Sequence, residues 1–154
     1  MVRYANREDL SRVNELRRQV NDLHVEGRPD IFKPGFNQEM QDFLYKIFES
    51  DNMDVIVAER EGVICGFACL QYVDKPEGPY SYGRRFYNVD EFCVDAAFRR
   101  QGVATEMFDF IKQEAKAKGF KRVELNMWEF NEGALAFYES VGFATYRRNM
   151  EMEV

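Results

Sequence analysis

The chain is poor in the residues that bind zinc and other transition metals. Its 154 residues include one histidine, His24, and three cysteines, Cys65, Cys69 and Cys93, without a Cys-x-x-Cys pair. Structural zinc sites normally use four such ligands at close spacings. Cys65 and Cys69 lie in an apolar run that is typical of a strand, where they would share one face and pack as small apolar side chains. The sequence therefore predicts no metal site.

Long apolar runs and a basic excess are also missing. No apolar stretch approaches the roughly 20 residues that cross a membrane, and the N-terminal segment MVRYANREDLSRV has no apolar core of the signal-peptide type. Acidic residues outnumber Lys and Arg by 27 to 21, for a net charge of −6, which argues against nucleic acid or anionic membranes as partners. Three cysteines without a secretory signal indicate reduced thiols. We therefore expect a cytoplasmic protein.

Apolar residues make up 45% of the chain and aromatic residues 15%, enough to form the core of one domain over residues 1–154. Hydrophobic periodicity predicts the element order β-α-α-β-β-β-α-β-α-β, without a linker or repeat. Expected strands cover 2–4, 54–60, 63–73, 86–94, 122–128 and 145–154, and expected helices about 7–24, 38–48, 103–119 and 134–142. This order predicts a single α/β domain with a mixed sheet and helices packed on it.

The segment FRRQGVATEM combines positive charge with little bulk where a helix is expected to begin. The first amides of a helix lack intrahelical partners and carry partial positive charge, so they form a ready phosphate site. Gly102 allows close approach of the backbone and Ala104 keeps the next exposed face small, while Arg99 and Arg100 can add charge-assisted bonds. A diphosphate fits this chemistry, and a solvated basic loop fits the same residues. The motifs of P-loops and of dinucleotide-binding folds are missing.

Two motifs of this chain resemble the GNAT superfamily of N-acetyltransferases. In that family a strand leads into Arg/Gln-x-x-Gly-x-Gly/Ala, and Arg99, Gly102 and Ala104 fill those places within FCVDAAFRRQGVATEMFDFI. The downstream motif Asn-x-x-Ala-x-x-Phe-Tyr-x-x-x-Gly-Phe is matched throughout, by Asn131, Ala134, Phe137, Tyr138, Gly142 and Phe143. The resemblance covers about Val55 to the C-terminus. It implies a GNAT-like fold, with a mixed, mostly antiparallel sheet flanked by helices.

The resemblance also implies where acetyl-CoA binds. In the family the loop amides hold the pyrophosphate, and the preceding strand splays from its neighbour to bind pantetheine through its backbone. Carried over to this chain, the cofactor-binding residues are Phe92, Cys93, Val94, Arg99, Arg100, Gln101, Gly102, Val103, Ala104, Thr105, Asn131, Ala134 and Tyr138. The chain departs from the family at Ala96, where proline is frequent, and at Arg100, where glycine is frequent. Neither departure removes an amide donor.

Catalytic candidates follow from the same resemblance. Tyr138 holds the position of the family's general acid, although a core tyrosine on an amphipathic helix would fit the pattern alone. The base is expected to be Glu91 or Asp90, which alternation sends to opposite faces of one strand. We prefer Glu91, with a salt bridge as the alternative role for either carboxylate. His24 is a further candidate.

The expected activity is transfer of the acetyl group of acetyl-CoA to a primary amine of a small molecule, by direct attack in a ternary complex. Alternatives are acetylation of a protein N-terminus or lysine, a non-catalytic acyl-CoA-binding domain, and a thiol hydrolase based on Cys93 and His24. Aromatic and acidic residues in the segments 23–36 and 76–86 suit an amine acceptor, and they equally suit ordinary loops packed on their own rings. The identity of the acceptor, the use of other acyl-CoAs and the formation of a homodimer are left open.

Overall fold

The apolar run around Glu61-Gly62 forms the central hairpin of the sheet. In a computed structural model that describes all 154 residues, β2 (Met53–Arg60) pairs antiparallel with β3 (Val63–Lys75). Glu61 and Gly62 both have positive φ, 50° and 77°, as the favoured two-residue hairpin turn requires. The hairpin predicted from these two residues is therefore confirmed.

Three further strands complete a five-stranded sheet with the order β1-β2-β3-β4-β5. They are β1 (Val2–Tyr4), β4 (Arg84–Val94) and β5 (Val123–Leu125). The first four strands run antiparallel to their neighbours, and β5 is parallel to β4. The prediction of a mixed, mostly antiparallel sheet in one α/β domain is confirmed.

Helices cover both faces of this sheet, which explains why β2 and β3 are apolar on both sides. On one face, α1 (Leu10–Gly27) and α2 (Gln38–Glu49) contribute Leu10, Val13, Leu16, Leu44 and Ile47 to a buried cluster with Val55, Val57, Phe67 and Cys69. On the other, α3 (Val103–Ala117) packs Val103, Met107, Phe108 and Ile111 on Ile56, Ala68, Leu70 and Tyr87, and α4 (Glu132–Ser140) lies against the same cluster. None of the helices combines the length and apolar character needed to cross a membrane.

Cys65 and Cys69 do not share a face, contrary to the alternation expected for a regular strand. Gly66 pairs with Ala58 and Ile64 pairs with Glu59, so Cys65 is the extra residue of a β-bulge. A bulge breaks the two-residue repeat, and it sends Cys65 to the α3 face while Cys69 stays on the α1 face. Both thiols are buried and free, as is that of Cys93.

Of the two C-terminal strand predictions, the first was wrong in extent and the second was wrong altogether. β5 covers three residues instead of 122–128, because the chain leaves β4 after Leu125. The strand expected at 145–154 is not formed, and these residues lie exposed without regular structure. Strand propensity needs a partner strand, but β5 is too short to offer a long edge. Side-chain bonds from Tyr146 to Glu124 and from Arg28 to Glu151 hold the segment instead.

Candidate functional site

A gap opens between β4 and β5 because the two strands pair only over their first parts. The pairs are Tyr87 with Val123, Asn88 with Glu124 and Val89 with Leu125. Beyond Val89, β4 continues to Val94 with β3 on one side and no strand on the other. The backbone of residues 90–94 therefore has a free edge inside the fold.

Alternation decides which backbone groups face this gap. The amide of Asp95 donates to the carbonyl oxygen of Cys65 at 2.8 Å, so Asp95 belongs to the set that bonds β3. In an antiparallel pair every second residue bonds a given neighbour, which also turns the backbone of Cys93 toward β3. Phe92 and Val94 therefore present their N–H and C=O groups to the gap. The sequence-based prediction assigned cofactor binding to Phe92, Cys93 and Val94 alike. Of these three, only Phe92 and Val94 turn their backbone groups toward the gap.

The Cys93 side chain points into the core beneath α1. Burial raises the pKa of this thiol to about 12, which keeps it protonated at neutral pH. A nucleophilic cysteine requires the thiolate. The Cys93/His24 hydrolase considered from the sequence thus lacks an activated nucleophile.

The loop after β4 ends in a row of unpaired amides. None of the backbone amides of residues 99–105 donates to an acceptor within the protein, and the first to do so is that of Glu106, which bonds the Gly102 carbonyl at 3.1 Å. Gly102 has φ of 78° and open space where a Cβ would stand. Arg100 also has positive φ, 61°, and Arg99 and Arg100 are exposed. The loop therefore offers a row of free backbone donors at the N-terminus of α3.

Asp95 ties the start of this loop to α1. Its carboxylate forms an ion pair with Arg12 and accepts from Gln19 at 3.4 Å and from the amide of Ala97 at 3.1 Å. Burial acts to raise the pKa of Asp95, but these bonds outweigh it and hold the pKa below its ordinary value. The carboxylate therefore stays charged and keeps the turn at residues 96–98 in place.

Asp90 is the extra residue of a second β-bulge. Val89 pairs with Leu70 and Glu91 pairs with Cys69, which leaves Asp90 without an opposite residue. Val89 packs on the α3 side, whereas Glu91 turns toward α1. Alternation alone therefore does not decide how Asp90 and Glu91 are oriented, because bulges interrupt alternation and often lie next to active sites.

The two carboxylates have different surroundings. Both oxygens of Glu91 accept from Arg17, at 2.8 and 3.1 Å, and Arg17 also donates to Asn14 at 3.0 Å and to the Met40 carbonyl at 2.7 Å. Asp90 is open to solvent and has no such partner. The surrounding protein raises the pKa of Asp90, first by limiting its hydration and then through the negative charge of Glu91.

Tyr138 lies on α4 with its ring packed edge-on against Phe108 and Phe143, with both pairs of ring centres 5.8 Å apart. Burial raises the pKa of this phenol, and Cys93 adds to the rise. The hydroxyl makes no hydrogen bond within the protein. Every fully buried polar side-chain atom of this protein has a hydrogen-bond partner, so the unpartnered hydroxyl of Tyr138 is not fully buried. The hydroxyl is therefore accessible, protonated and free to donate.

Two further motif residues lie at the start of the same helix. Asn131 occupies the N-cap position of α4, and its side chain makes no capping hydrogen bond. Ala134 is half-buried one turn later. The Asn131 amide is thus available to a ligand.

A pocket of about 390 Å³ lies between α1, α2 and β4. Its lining comprises Arg17, Val20, Asn21, His24, Lys33, Phe36, Asn37, Glu39, Met40, Phe43 and Glu91. His24 stacks on Phe32 with ring centres 4.8 Å apart and meets Phe130 edge-on at 6.3 Å. Burial lowers the pKa of His24, so its imidazole is neutral at pH 7.

Only the first of the two expected acceptor segments reaches this pocket. Segment 23–36 contributes His24, Lys33 and Phe36. The other segment ends in the first residues of β4, and Glu91 lies roughly 20 Å from Arg84 along that strand at about 3.3 Å per residue. Tyr80 and Tyr82 at that distant turn are almost fully exposed.

Sequence reasoning missed Arg17 as a site residue. This arginine occupies an apolar position in the helical repeat of α1, and its side chain is only 9% exposed. A charge on the core face of a helix needs a buried partner. An arginine at an apolar position of the helical repeat was therefore the feature of the sequence that could have identified Arg17.

Several solved structures share this architecture. A mutant form of the BH1408 protein from Bacillus halodurans is 27% identical, with a TM-score of 0.95 over 100% of this chain and 99% of that one. An acetyltransferase from Vibrio fischeri is 26% identical, with a TM-score of 0.66 over 83% of this chain and 96% of that one. The aminoglycoside N-acetyltransferase AAC(6')-Iy in complex with CoA is 18% identical and shares the fold, with a TM-score of 0.73 over 100% of this chain and 98% of that one.

A comparison with curated protein sequences returned no match. The family model of the acetyltransferase (GNAT) family matches residues 17–143. That span includes the β4–β5 gap, the loop of unpaired amides, Asp90, Glu91 and Tyr138. The chain belongs to the GNAT acetyltransferase family.

Proposed function

We propose that residues 1–154 form a single N-acetyltransferase domain that moves the acetyl group of acetyl-CoA to a primary amine of a small molecule. The observation that carries this proposal is the continuity of the β4 edge. At one end this edge leads into the unpaired amides of residues 99–105, and Glu91 at its other end lines the pocket between α1 and α2. Direct attack in a ternary complex fits this arrangement, because donor and acceptor would meet at the gap.

The donor half of the cleft fits a CoA thioester. Unpaired amides at a helix N-terminus suit a diphosphate, and the exposed Arg99 and Arg100 supply charge beside it. The free edge of β4 at Phe92 and Val94 suits the amides of pantetheine, and the free Asn131 side chain lies at the start of α4. Acetyl-CoA supplies an activated acyl group, so the reaction needs no metal.

Residues at the gap can perform the proton transfers. An aliphatic ammonium has a pKa of about 10 and must lose a proton before it attacks. We assign this proton to Asp90, directly or through water, because Asp90 has no partner and a raised pKa, whereas Arg17 occupies both oxygens of Glu91. Glu91 would then have a structural role, because it holds Arg17 in the lining of the pocket. This assignment reverses the preference for Glu91 drawn from the sequence.

Two other groups would act on the acyl carbon and the sulfur. An amide of Phe92 or Val94 facing the gap would stabilise the developing oxyanion. The accessible hydroxyl of Tyr138 would donate its proton to the departing thiolate. The raised pKa of Tyr138 keeps that proton in place until the sulfur needs it.

The test is CoA release from acetyl-CoA with a panel of small amines, amino acids, polyamines, aminoglycosides and peptides, and mass spectrometry of the products. An N-acetylated small amine is the expected product. The panel includes aminoglycosides because AAC(6')-Iy, which shares the fold, is an aminoglycoside N-acetyltransferase. Turnover of peptides alone would favour a protein acetyltransferase. Calorimetric binding of acetyl-CoA without turnover on any acceptor would favour the non-catalytic alternative and contradict the proposal.

A further inference from the structure

The charges of the acceptor pocket are balanced. Arg17 and Glu91 neutralise each other in a bidentate pair at the strand. The remaining ionic side chains of the lining are Lys33 and Glu39, which are exposed and belong to no ion pair. A ligand therefore meets one unpaired carboxylate and one unpaired ammonium in the pocket. Asp90, the base proposed above, directly precedes the lining residue Glu91 on β4.

This balance disfavours acceptors with several positive charges. A polyamine or an aminoglycoside would bring ammonium groups beyond the reacting one, and each needs a carboxylate to offset its lost hydration. Glu39 can offset one, and Lys33 would repel the others. Since Lys33 and Glu39 lie at the solvent-exposed rim, screening limits the effect to about tenfold per charge.

The uncharged part of the lining combines four apolar residues with Asn21, His24 and Asn37. Val20, Phe36, Met40 and Phe43 form the apolar wall, and Phe43 remains 52% exposed although it is a large apolar side chain. Beside the pocket, His24 continues into a ring cluster, because Phe32 meets Trp128 edge-on at 5.2 Å and Trp128 stacks on Phe130 at 6.0 Å. Concave apolar surface with a few polar groups is the usual character of a small-molecule site.

We infer that the acceptor of this enzyme is a monoamine with a flat apolar body, such as an arylalkylamine, and not a polyamine or an aminoglycoside. The amine would approach Asp90 while the ring covers Phe43 and lies along the wall formed with Phe36. This inference rests on the proposed function and names the substrate class of the same site.

The test compares kcat/KM for 2-phenylethylamine and tryptamine with kcat/KM for spermidine and neamine, by CoA release at saturating acetyl-CoA. We expect the two arylalkylamines to exceed both polycations at least tenfold. A higher kcat/KM for either polycation would overturn the inference and leave the proposed function intact. Absence of CoA release with every amine, while acetyl-CoA binds, would instead contradict the proposed function.

Two variants test the residues that carry the inference. Phe43→Ala removes exposed apolar surface and should lower kcat/KM for tryptamine about tenfold. The loss for spermidine should be smaller, and acetyl-CoA affinity should not change. The matched control Leu23→Ala truncates a similarly exposed apolar residue of α1 outside the pocket. An equal loss for tryptamine in both variants, or no loss in Phe43→Ala, would contradict the role of Phe43.

Lys33→Glu converts the rim from balanced to acidic. We expect kcat/KM for spermidine to rise about tenfold, whereas the control Lys46→Glu, an exposed lysine of α2 outside the pocket, should leave it unchanged. Both lysines are exposed, so neither variant endangers folding. An equal rise in the two variants would mean that net charge alone selects the acceptor and would overturn the assignment of Lys33.

Discussion

The proposed donor half and the proposed acceptor half of the cleft are built from different parts of the chain. The donor half uses backbone: the free edge of β4 at Phe92 and Val94, and the unpaired amides of residues 99–105. The acceptor half uses side chains from α1, the segment 28–37 and α2, arranged around the Arg17–Glu91 pair. A backbone site needs small residues and a particular path of the chain, whereas a side-chain site needs particular side chains.

This difference explains why one half was recognisable and the other was not. Amides are present in every residue, so the donor half depends on Gly102 and Ala104, which leave the amides accessible, and these residues form a motif. The acceptor half draws on residues from three elements far apart in the sequence, without a fixed spacing. α1 connects the halves, because Arg17 and His24 line the pocket while Arg12 and Gln19 hold Asp95 at the start of the loop of unpaired amides.

Removal of the Tyr138 hydroxyl should have the largest effect, and it tests whether the donor half also needs a side chain. Tyr138→Phe keeps the ring packing on Phe108 and Phe143, so folding and CoA affinity should not change. Loss of a general acid typically lowers kcat by 10²–10⁴-fold. The control is Tyr146→Phe, the same change at an exposed tyrosine that bonds Glu124. Equal rates for the two variants with a slow acceptor would reduce Tyr138 to a packing residue.

The bulge at Asp90 lies where the halves meet, and the paired variants Asp90→Asn and Glu91→Gln test it. If Asp90 is the base, kcat/KM rises with pH as its carboxyl group ionises, and its raised pKa moves this limb above the ordinary range for aspartate. Asp90→Asn should remove the limb and lower kcat/KM by about 10²-fold.

Glu91→Gln should leave the limb in place and act mainly on stability. It breaks a hydrogen-bonded charge pair with the buried Arg17, which should lower the free energy of unfolding by about 2 kcal/mol. The measurements are pH–rate profiles and urea unfolding of both variants. If Glu91→Gln removes the limb and Asp90→Asn does not, the sequence-based preference for Glu91 holds. If neither does, His24 or a chain of waters carries the proton.

Gly102 tests whether the donor half binds phosphate through its amides. Gly102→Asp places a carboxylate among these donors and should weaken acetyl-CoA binding more than tenfold, which corresponds to about 1.4 kcal/mol. Gly102→Asn is the matched control, because Asn and Asp both tolerate positive φ and differ here only in charge. Calorimetry that gives the same Kd for the two variants would contradict a diphosphate at this loop.

The fold was largely predictable, because its evidence is local and repeated. The central hairpin follows from Glu61-Gly62 between two apolar runs, and α3 follows from the apolar periodicity that begins at Val103. The bulges at Cys65 and Asp90 were not predictable, since each depends on how β3 and β4 align with their neighbours and not on their own residues. The strand expected at 145–154 failed for the same reason: its residues suit a strand, but no partner strand extends beside them.

Arg100 carries the smallest and most specific prediction. A residue other than glycine at φ of 61° costs roughly 1 kcal/mol, and strain of this kind persists where function maintains it. Arg100→Gly should therefore raise the free energy of unfolding by about 0.5 kcal/mol, after the greater flexibility of glycine in the unfolded chain is subtracted. The same change removes a cation beside the diphosphate and should weaken acetyl-CoA binding a few-fold.

Arg99→Gly is the control for the prediction that Arg100→Gly raises the free energy of unfolding while it weakens acetyl-CoA binding. Arg99 has φ of −67° and ψ of 155°, which any residue adopts, so glycine there relieves no strain and brings only its flexibility. Both variants lose one positive charge next to the same amides. Arg99→Gly should therefore weaken binding and lower stability, while Arg100→Gly weakens binding and raises stability. Urea unfolding that gives both variants the same sign would show that no strain is stored at Arg100, and that its charge is the whole reason for an arginine where the family often has glycine.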